Sequence, residues 1–247
     1  MKKTEARPES LAGKVAVVTG ASRGIGCAVA AALVAAECTV IAASRTLSAT
    51  RNKSASRPAG TGLTPVTEIR CDVRDEASVA LLFAKIREQF GCVDILVNNA
   101  GTAHALRNIE ELPPEVWREV IDTNLTGMFL CTQAALPLMS KGAVIVNNLS
   151  VAARGVFPGE SAYCASKFGA LGFTETLREE VRERGIRVIA LLPGATATDI
   201  WNKFMPEAPR EKMMSAETVA RALVNAITLP ENAAVEELRL ASVAGKV

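Results

Sequence analysis

The sequence predicts an α/β protein built on a doubly wound parallel sheet with helices on both faces. Short apolar runs alternate with helical patterns along the chain, and this alternation is typical of parallel sheets. Polar, charged or glycine-rich residues follow the apolar runs. In such sheets, ligands bind outside the carboxyl ends of the strands. We therefore expect residues 1–247 to form a single domain, with a short lead-in at 1–13.

A glycine-rich turn joins the first predicted strand, residues 14–19, to an alanine-rich helix. Gly20, Gly24 and Gly26 have the spacing G-x-x-x-G-x-G. Glycines permit a tight turn and close backbone approach, and the N-terminus of the helix attracts a pyrophosphate. Such a connection could occur in any α/β protein, but the order of strand, turn and helix favours a Rossmann-type dinucleotide site. The other residues of the turn that would contribute are Ser22, Arg23 and Ile25.

The end of the second predicted strand, residues 39–43, indicates which dinucleotide binds. Ser44 and Arg45 follow it, and no Asp or Glu occurs between Glu37 and Glu68. An acid here would bind the adenosine ribose, whereas an arginine accommodates a 2′-phosphate. We therefore predict NADP(H), held partly by Arg45 and Arg23, although both could be ordinary solvated charges. The basic segment 46–63 has no helical pattern and is predicted to be an eroded, mobile crossover.

Four further strands are predicted, at residues 65–70, 93–97, 143–149 and 186–192, and a last one at 235–242. Helices are predicted at 75–90, 113–140 and 161–184. The first four of these strands are followed by polar residues or turns that would face the same edge of the sheet. These residues are Asp72 and Val73, Asn98 to Gly101, Ser150, and Pro193 with Gly194.

Composition excludes several classes of function. The net charge of +2 gives no general case for nucleic acid binding. No apolar run approaches the roughly 20 residues that span a bilayer, and the N-terminus lacks the apolar segment of a signal peptide. We expect a cytoplasmic or other soluble intracellular protein. Six cysteines without metal-ligand spacing and a single histidine, His104, predict no metal site.

Tyr163, the only tyrosine, precedes Lys167 by four residues in a predicted helix. Residues four apart lie on one helix face. An ammonium beside a phenol lowers the pKa of the phenol, which would make Tyr163 a proton donor and acceptor near neutral pH. Alternatively, Tyr163 is a buried core residue and Lys167 points into solvent.

Taken together, these motifs resemble the short-chain dehydrogenase/reductase family. Residues 19–26 are similar to its cofactor turn, residues 98–101 to its Asn-Asn-Ala-Gly motif, and residues 193–198 to its nicotinamide-side loop. Asn124, Ser150, Tyr163 and Lys167 match its catalytic tetrad in order and approximate spacing. One departure is the strand end Asn147-Asn148-Leu149-Ser150, which has more amide and fewer serines than the usual apolar-Ser-Ser ending.

The resemblance implies hydride transfer between a nicotinamide and a carbonyl or alcohol carbon. Tyr163 would transfer the proton, Ser150 would orient the oxygen, Lys167 would hold the nicotinamide ribose, and Asn124 would anchor a water. The remaining cofactor contacts would be Ser44, Asp72 and Val73 near the adenosine, Asn99 with Ala100 and Gly101, and Pro193, Gly194 and Thr198 near the carboxamide. The family also implies a homodimer or homotetramer built on the helices around 113–140 and 161–184.

A predicted lid at residues 195–214 carries Trp201 and Phe204, and Phe157 follows the catalytic serine. These residues indicate a mainly apolar substrate pocket for a ketone, aldehyde or hydrophobic alcohol, although they could instead pack the lid or form a subunit contact. A 3-oxoacyl-thioester reductase is an alternative within the enzyme class. A catalytically silent NADP(H)-binding redox sensor is an alternative outside it.

Overall fold

The computed structural model of the chain describes residues 10–47, 66–230 and 232–245. Its seven strands form a single parallel sheet. The strands are β1 (Val15–Thr19), β2 (Thr39–Ser44), β3 (Thr67–Arg70), β4 (Ile95–Asn98), β5 (Val144–Asn148), β6 (Arg187–Pro193) and β7 (Glu237–Leu240). The predicted doubly wound fold is confirmed.

The helices lie between the strands. They are α1 (Gly24–Ala35), α2 (Glu76–Phe90), α3 (Pro114–Ile121), α4 (Gly127–Ala135), α5 (Ser161–Val181), the short α6 (Trp201–Phe204) and α7 (Ala216–Ile227). The sheet order is β3-β2-β1-β4-β5-β6-β7, so the chain reverses direction across the sheet between β1 and β4. Ligands of doubly wound sheets bind at such a reversal, outside the carboxyl ends of the strands.

The two faces of the sheet carry separate hydrophobic cores, because successive side chains of a strand point in opposite directions. Ala16 and Val18 of β1 belong to the core that includes α1 and α7. Val15 and Val17 belong to the core on the opposite face, which includes residues of α2, α4 and α5. The predicted apolar face of α2 is buried there at Val79, Leu82, Phe83 and Ile86. Leu11, inside the predicted lead-in, is also buried.

The region predicted as one helix at 113–140 is interrupted in its middle. A π-helical turn, Asp122–Thr126, separates α3 from α4. Such turns are rare and often occur at functional sites. This one contains Asn124. Most of the crossover predicted at 46–63, from residue 48 onward, lies outside the described residues.

No helix in the described part of the chain is long and apolar enough to cross a membrane.

Candidate active site

A cleft of about 1400 Å³ runs along the carboxyl edge of the sheet. Most of the predicted site residues line this cleft. On the expected cofactor side these are Gly20, Ser22, Arg23, Gly24, Ile25, Ser44, Arg45, Asp72, Val73, Asn99, Ala100, Gly101, Lys167, Pro193, Gly194 and Thr198. Ser150, Tyr163, Phe157, Trp201 and Phe204 line its other part. Gly26 and Asn124 are the exceptions, since neither is among the lining residues.

The glycine-rich turn is shaped by close contacts with the loop after β4. Gly20 has a φ of +63°, and a Cβ there would lie 2.7 Å from the Cα of Ala100. A Cβ on Gly26 would lie 2.2 Å from Nδ2 of Asn99 and 2.5 Å from the carbonyl oxygen of Gly20. Gly26 is therefore required for packing beneath the turn, which explains why it does not line the cleft.

Asn99 fixes the turn from below. Its Nδ2 donates hydrogen bonds to the carbonyl oxygens of Thr19 (2.9 Å) and Gly20 (3.2 Å). In return, the hydroxyl oxygen of Thr19 accepts from the backbone N–H groups of Asn99 (3.0 Å) and Ala100 (3.1 Å). The end of β1 and the loop after β4 are thus held together at the point where the sheet order reverses.

Positive charge accumulates where the sequence predicts the adenosine end of the cofactor. Arg45 is exposed on the cleft wall, while the Ser44 hydroxyl donates to the carbonyl oxygen of Thr46 at 2.7 Å. Arg74, a cleft residue that sequence reasoning missed, donates to both carboxylate oxygens of Asp72, at 3.0 and 2.6 Å. This hydrogen bonding is the main reason that the pKa of Asp72 is lowered, and Arg45 contributes.

Arg23 lies within the glycine-rich turn, and its guanidinium faces the loop before α6. Its Nη1 lies 3.8 Å from a carboxylate oxygen of Asp199, and both side chains are well exposed. An exposed ion pair at this distance contributes little stability. Arg23 is therefore available to another anion at low energetic cost.

Tyr163 and Lys167 are both buried on α5, with 9% and 5% of their surfaces exposed. The Lys167 ammonium donates to the backbone oxygen of Asn148 at 2.9 Å and lies 5.6 Å from the centroid of the Tyr163 ring. The alternative in which Lys167 points into solvent is therefore wrong.

The expected direction of the Tyr163 pKa shift is also wrong for the described structure. Burial raises the pKa of Tyr163 to about 12, while a hydrogen bond with Ser150 acts in the opposite direction and is outweighed. Burial likewise lowers the pKa of Lys167 to about 8. The cost of desolvating both groups exceeds the influence of the ammonium on the phenol, because burial disfavours the charged form of each.

Ser150 and Asn124 occupy different environments. Ser150 follows β5, and its hydroxyl oxygen accepts from the backbone N–H of Ala152 at 3.1 Å. Asn124 is buried beneath the cleft, where its Oδ1 accepts from the backbone N–H of Thr102 (2.8 Å) and its Nδ2 donates to the carbonyl oxygen of Thr102 and the hydroxyl of Ser166 (both 3.0 Å). The Asn124 side chain thus joins the π turn to α5 and to the loop after β4.

The lid covers Tyr163 with aromatic side chains. The Phe204 ring contacts the Tyr163 ring edge to face, with centroids 4.9 Å apart, and Trp201 lies 6.0 Å from Phe204. Lys203, which sequence reasoning missed, donates to the hydroxyl of Thr102 at 2.7 Å. The aromatic residues of the predicted lid therefore pack beside Tyr163, with Phe204 directly against its ring.

Comparison with known proteins identifies the class. Residues 14–209 match the family model described as short chain dehydrogenase. The chain belongs to the short-chain dehydrogenase/reductase family, whose members are oxidoreductases that act on alcohol and carbonyl groups.

Individual relatives cover nearly the whole chain. A farnesol dehydrogenase of Aedes aegypti is 35% identical over 95% of this chain and 98% of its own. A sepiapterin reductase of Chlorobaculum tepidum is 34% identical over 94% and 98%. An alcohol dehydrogenase of Thermococcus sibiricus, solved with 5-hydroxy-NADP, has a TM-score of 0.83 and 30% identity over 95% and 98% of the two chains.

Proposed function

We propose that the protein is an NADP(H)-dependent oxidoreductase that transfers a hydride between the nicotinamide and a carbonyl or secondary alcohol of a mainly apolar substrate. The observation that carries this proposal is that Tyr163, Ser150 and Lys167 line the same cleft as the glycine-rich turn. A protein that only sensed the dinucleotide would need neither Tyr163 nor Ser150, which argues against a silent sensor.

The described residues fit such a cofactor. The turn between β1 and α1 leaves no room for a Cβ at Gly20, and it precedes the N-terminus of a 12-residue helix, which attracts a pyrophosphate. Arg45 and Arg74 place two guanidinium groups on the cleft wall beyond β2 and β3. The exposed Arg45 would bind a 2′-phosphate, because guanidinium pairs strongly with phosphate, while Arg74 would hold Asp72 beside it.

When bound, the nicotinamide supplies or accepts the hydride. Tyr163 would donate the proton to the carbonyl oxygen during reduction, with Ser150 holding that oxygen by a hydrogen bond. Lys167, released from the backbone oxygen of Asn148, would bind the ribose hydroxyls. Phe204 and Trp201 would exclude water above Tyr163. These roles use the geometry of the cleft and the chemistry of general acid catalysis.

The central test of this proposal is Tyr163→Phe. The variant is expected to bind NADPH as the wild type does and to lose at least about a hundredfold in kcat, as is typical when a general acid is removed. NADPH fluorescence gives the binding constant, and loss of NADPH absorbance with a ketone gives kcat. Turnover equal to that of the wild type would exclude the proposed role of Tyr163.

Cofactor choice is tested separately by Arg45→Asp. The new carboxylate would repel a 2′-phosphate and accept a hydrogen bond from a ribose hydroxyl. We expect NADPH affinity to fall and NADH affinity to rise, so that their ratio changes by more than tenfold, or about 1.4 kcal/mol. An exposed arginine away from the cleft, Arg221 on α7, provides the control as Arg221→Asp. An unchanged ratio would contradict the proposed phosphate site.

A 3-oxoacyl-thioester reductase is the second candidate. A 3-oxoacyl-[acyl-carrier-protein] reductase of Synechocystis is 38% identical over 77% of this chain and 77% of its own. The family resemblance implies a glycine-rich C-terminal segment in that branch, and residues 235–242 of this chain contain no glycine. Comparing kcat/KM for farnesol, a simple ketone and a 3-oxoacyl thioester decides between the two candidates.

A further inference from the structure

Asn148, the last residue of β5, occupies the position where the strand ending departs from the family pattern. Only 9% of its surface is exposed, and it lines the cleft. Its backbone oxygen accepts the hydrogen bond from the Lys167 ammonium. Its side-chain Nδ2 donates to Oδ1 of Asn99 at 2.8 Å. A single residue therefore contacts both the lysine proposed to hold the nicotinamide ribose and the asparagine that holds the glycine-rich turn.

The bond from Asn148 supports the observed orientation of the Asn99 carboxamide. The NH₂ group of Asn99 already donates to the carbonyl oxygens of Thr19 and Gly20, so its oxygen is left facing Asn148. A rotated carboxamide would place oxygen against the two carbonyl oxygens and NH₂ against the NH₂ of Asn148. An apolar side chain at position 148 would remove the donor and leave the Asn99 oxygen without this partner, which disfavours the observed orientation.

The neighbouring Asn147 has a different role, because it points to the opposite face of the sheet. Its Nδ2 donates to the Thr174 hydroxyl at 2.9 Å, and its Oδ1 accepts from Asn98 at 2.9 Å. Asn147 has no exposed surface and joins β5 to β4 and α5 beneath the cleft. The two adjacent amides are thus divided between the core and the cofactor cleft.

We infer that Asn148 is a positioning residue for the dinucleotide: through Asn99 it holds the glycine-rich turn in the conformation that binds the pyrophosphate. Its backbone oxygen holds the Lys167 ammonium in the same cleft. This inference rests on the proposed NADP(H) function. It assigns Asn148 no contact with the substrate.

The test compares Asn148→Val with Thr174→Val in the full chain. Both remove one buried hydrogen-bonding group, but only the first removes the bond to Asn99. We expect Asn148→Val to weaken NADPH binding about tenfold, measured by fluorescence titration, whereas Thr174→Val changes it less than about twofold. KM for NADPH should rise in Asn148→Val, while kcat at saturating NADPH falls less than about threefold. Equal NADPH affinity in Asn148→Val and wild type overturns the inference.

A second variant, Asn148→Ser, keeps the test usable if the valine variant does not fold. Serine is small and polar, but its hydroxyl ends one bond short of the Asn148 Nδ2 position and does not reach Asn99. The same loss of NADPH affinity is expected. If the wild type binds neither NADPH nor NADH, the proposed function itself is refuted. If the wild type binds NADPH and Asn148→Ser binds it with the same affinity, only the positioning role is refuted.

A double-variant cycle establishes whether Asn148 acts through Asn99. In an Asn99→Ala background the partner oxygen is absent, so adding Asn148→Val should change the NADPH dissociation constant by less than about twofold. A second tenfold loss on top of the Asn99→Ala effect would show that Asn148 acts on the cofactor by another route, and would overturn the inference. Thermal unfolding of the cofactor-free variants is recorded alongside to confirm that each is folded.

Discussion

At the scale of single residues, Tyr163 and Lys167 illustrate how burial competes with charge. The phenol has a pKa raised to about 12 and the ammonium a pKa lowered to about 8, in both cases mainly by desolvation. Each shift favours the neutral form of its group. Tyr163 is therefore protonated over the physiological pH range in the described structure.

This protonation state can be measured directly, because the chain has one tyrosine. Tyrosinate absorbs near 295 nm, so all of this signal comes from Tyr163. We expect the cofactor-free protein to show no tyrosinate up to about pH 10, since the ordinary pKa is about 10 and burial raises it. Tyr163→Phe serves as the blank. A titration midpoint near neutral pH in the cofactor-free protein would contradict the dominance of burial.

Glu160, one helical turn before Tyr163, provides a second pH-dependent prediction. Burial raises its pKa from the ordinary 4.5 to about 7. The folded protein therefore binds this proton more tightly than the unfolded chain, and the associated stability is lost as the pH rises from about 4.5 to about 7. Glu160→Gln removes this dependence. The Tm of the variant relative to wild type should accordingly be higher at about pH 8 than at about pH 5, and a constant difference would contradict the prediction.

At the scale of elements, the glycine-rich turn depends on the absence of one side chain. Alanine in place of glycine within a helix ordinarily gains about 1 kcal/mol. At Gly26, however, the added Cβ would lie 2.2 Å from Asn99 and 2.5 Å from the backbone oxygen of Gly20. The backbone contact has no freedom to yield, so we expect the clash to outweigh the gain in helix propensity.

In denaturant unfolding, the free energy of unfolding of Gly26→Ala should be lower than that of the wild type by about 1–3 kcal/mol, the usual cost of overpacking. NADPH affinity should fall as well, because the turn is displaced. Ala31→Gly, at an exposed position of the same helix α1, is the control and should cost about 1 kcal/mol from propensity alone without affecting NADPH binding. A Gly26→Ala protein as stable as wild type would show that the turn tolerates the contact.

The strands were predictable to within about two residues, because each is an apolar run bounded by glycine or polar residues. The π turn at Asp122–Thr126 was not, since its insertion depends on tertiary contacts. One such contact is the close approach of α4 to the loop after β3, where a Cβ on Gly127 would lie 2.7 Å from Val73. Helical periodicity contains no information about that distance.

The candidate site was predictable where chemistry is tied to a motif, and less so where it depends on distance. Tyr163, Lys167 and Ser150 meet in the cleft as expected. Arg74 was missed because the sequence does not show that its guanidinium donates to both carboxylate oxygens of Asp72. Lys203 was missed because its partner, Thr102, is 101 positions away in the sequence. The direction of the Tyr163 pKa shift was missed because the sequence does not give the depth of burial.

At the scale of the whole molecule, the parallel sheet collects at one edge residues that are far apart in sequence. The reversal between β1 and β4 opens the cleft, and the arginines, the turn and α5 border it. On one face of the sheet, α4 and α5 form the outer layer, and no other element of the described chain covers them. Each of these helices has an exposed phenylalanine: Phe129 on α4 is 43% exposed, and Phe168 on α5 is 44% exposed.

The homodimer or homotetramer that the family resemblance implies is expected to use this surface of α4 and α5. An aromatic side chain buries about 150–250 Å² in an interface, and a stable interface needs about 800 Å² per partner, so the two phenylalanines would be its centre and not its whole extent. Phe129→Glu and Phe168→Glu would place a carboxylate in the buried centre and are expected to convert a dimer or tetramer into smaller species, measured by sedimentation velocity. Leu81→Glu, at an exposed leucine of α2 (64%), is the matched control and should leave the assembly unchanged. A wild type that sediments as a monomer at micromolar concentration, or glutamate variants that assemble as the wild type does, would show that the two copies do not meet on this face.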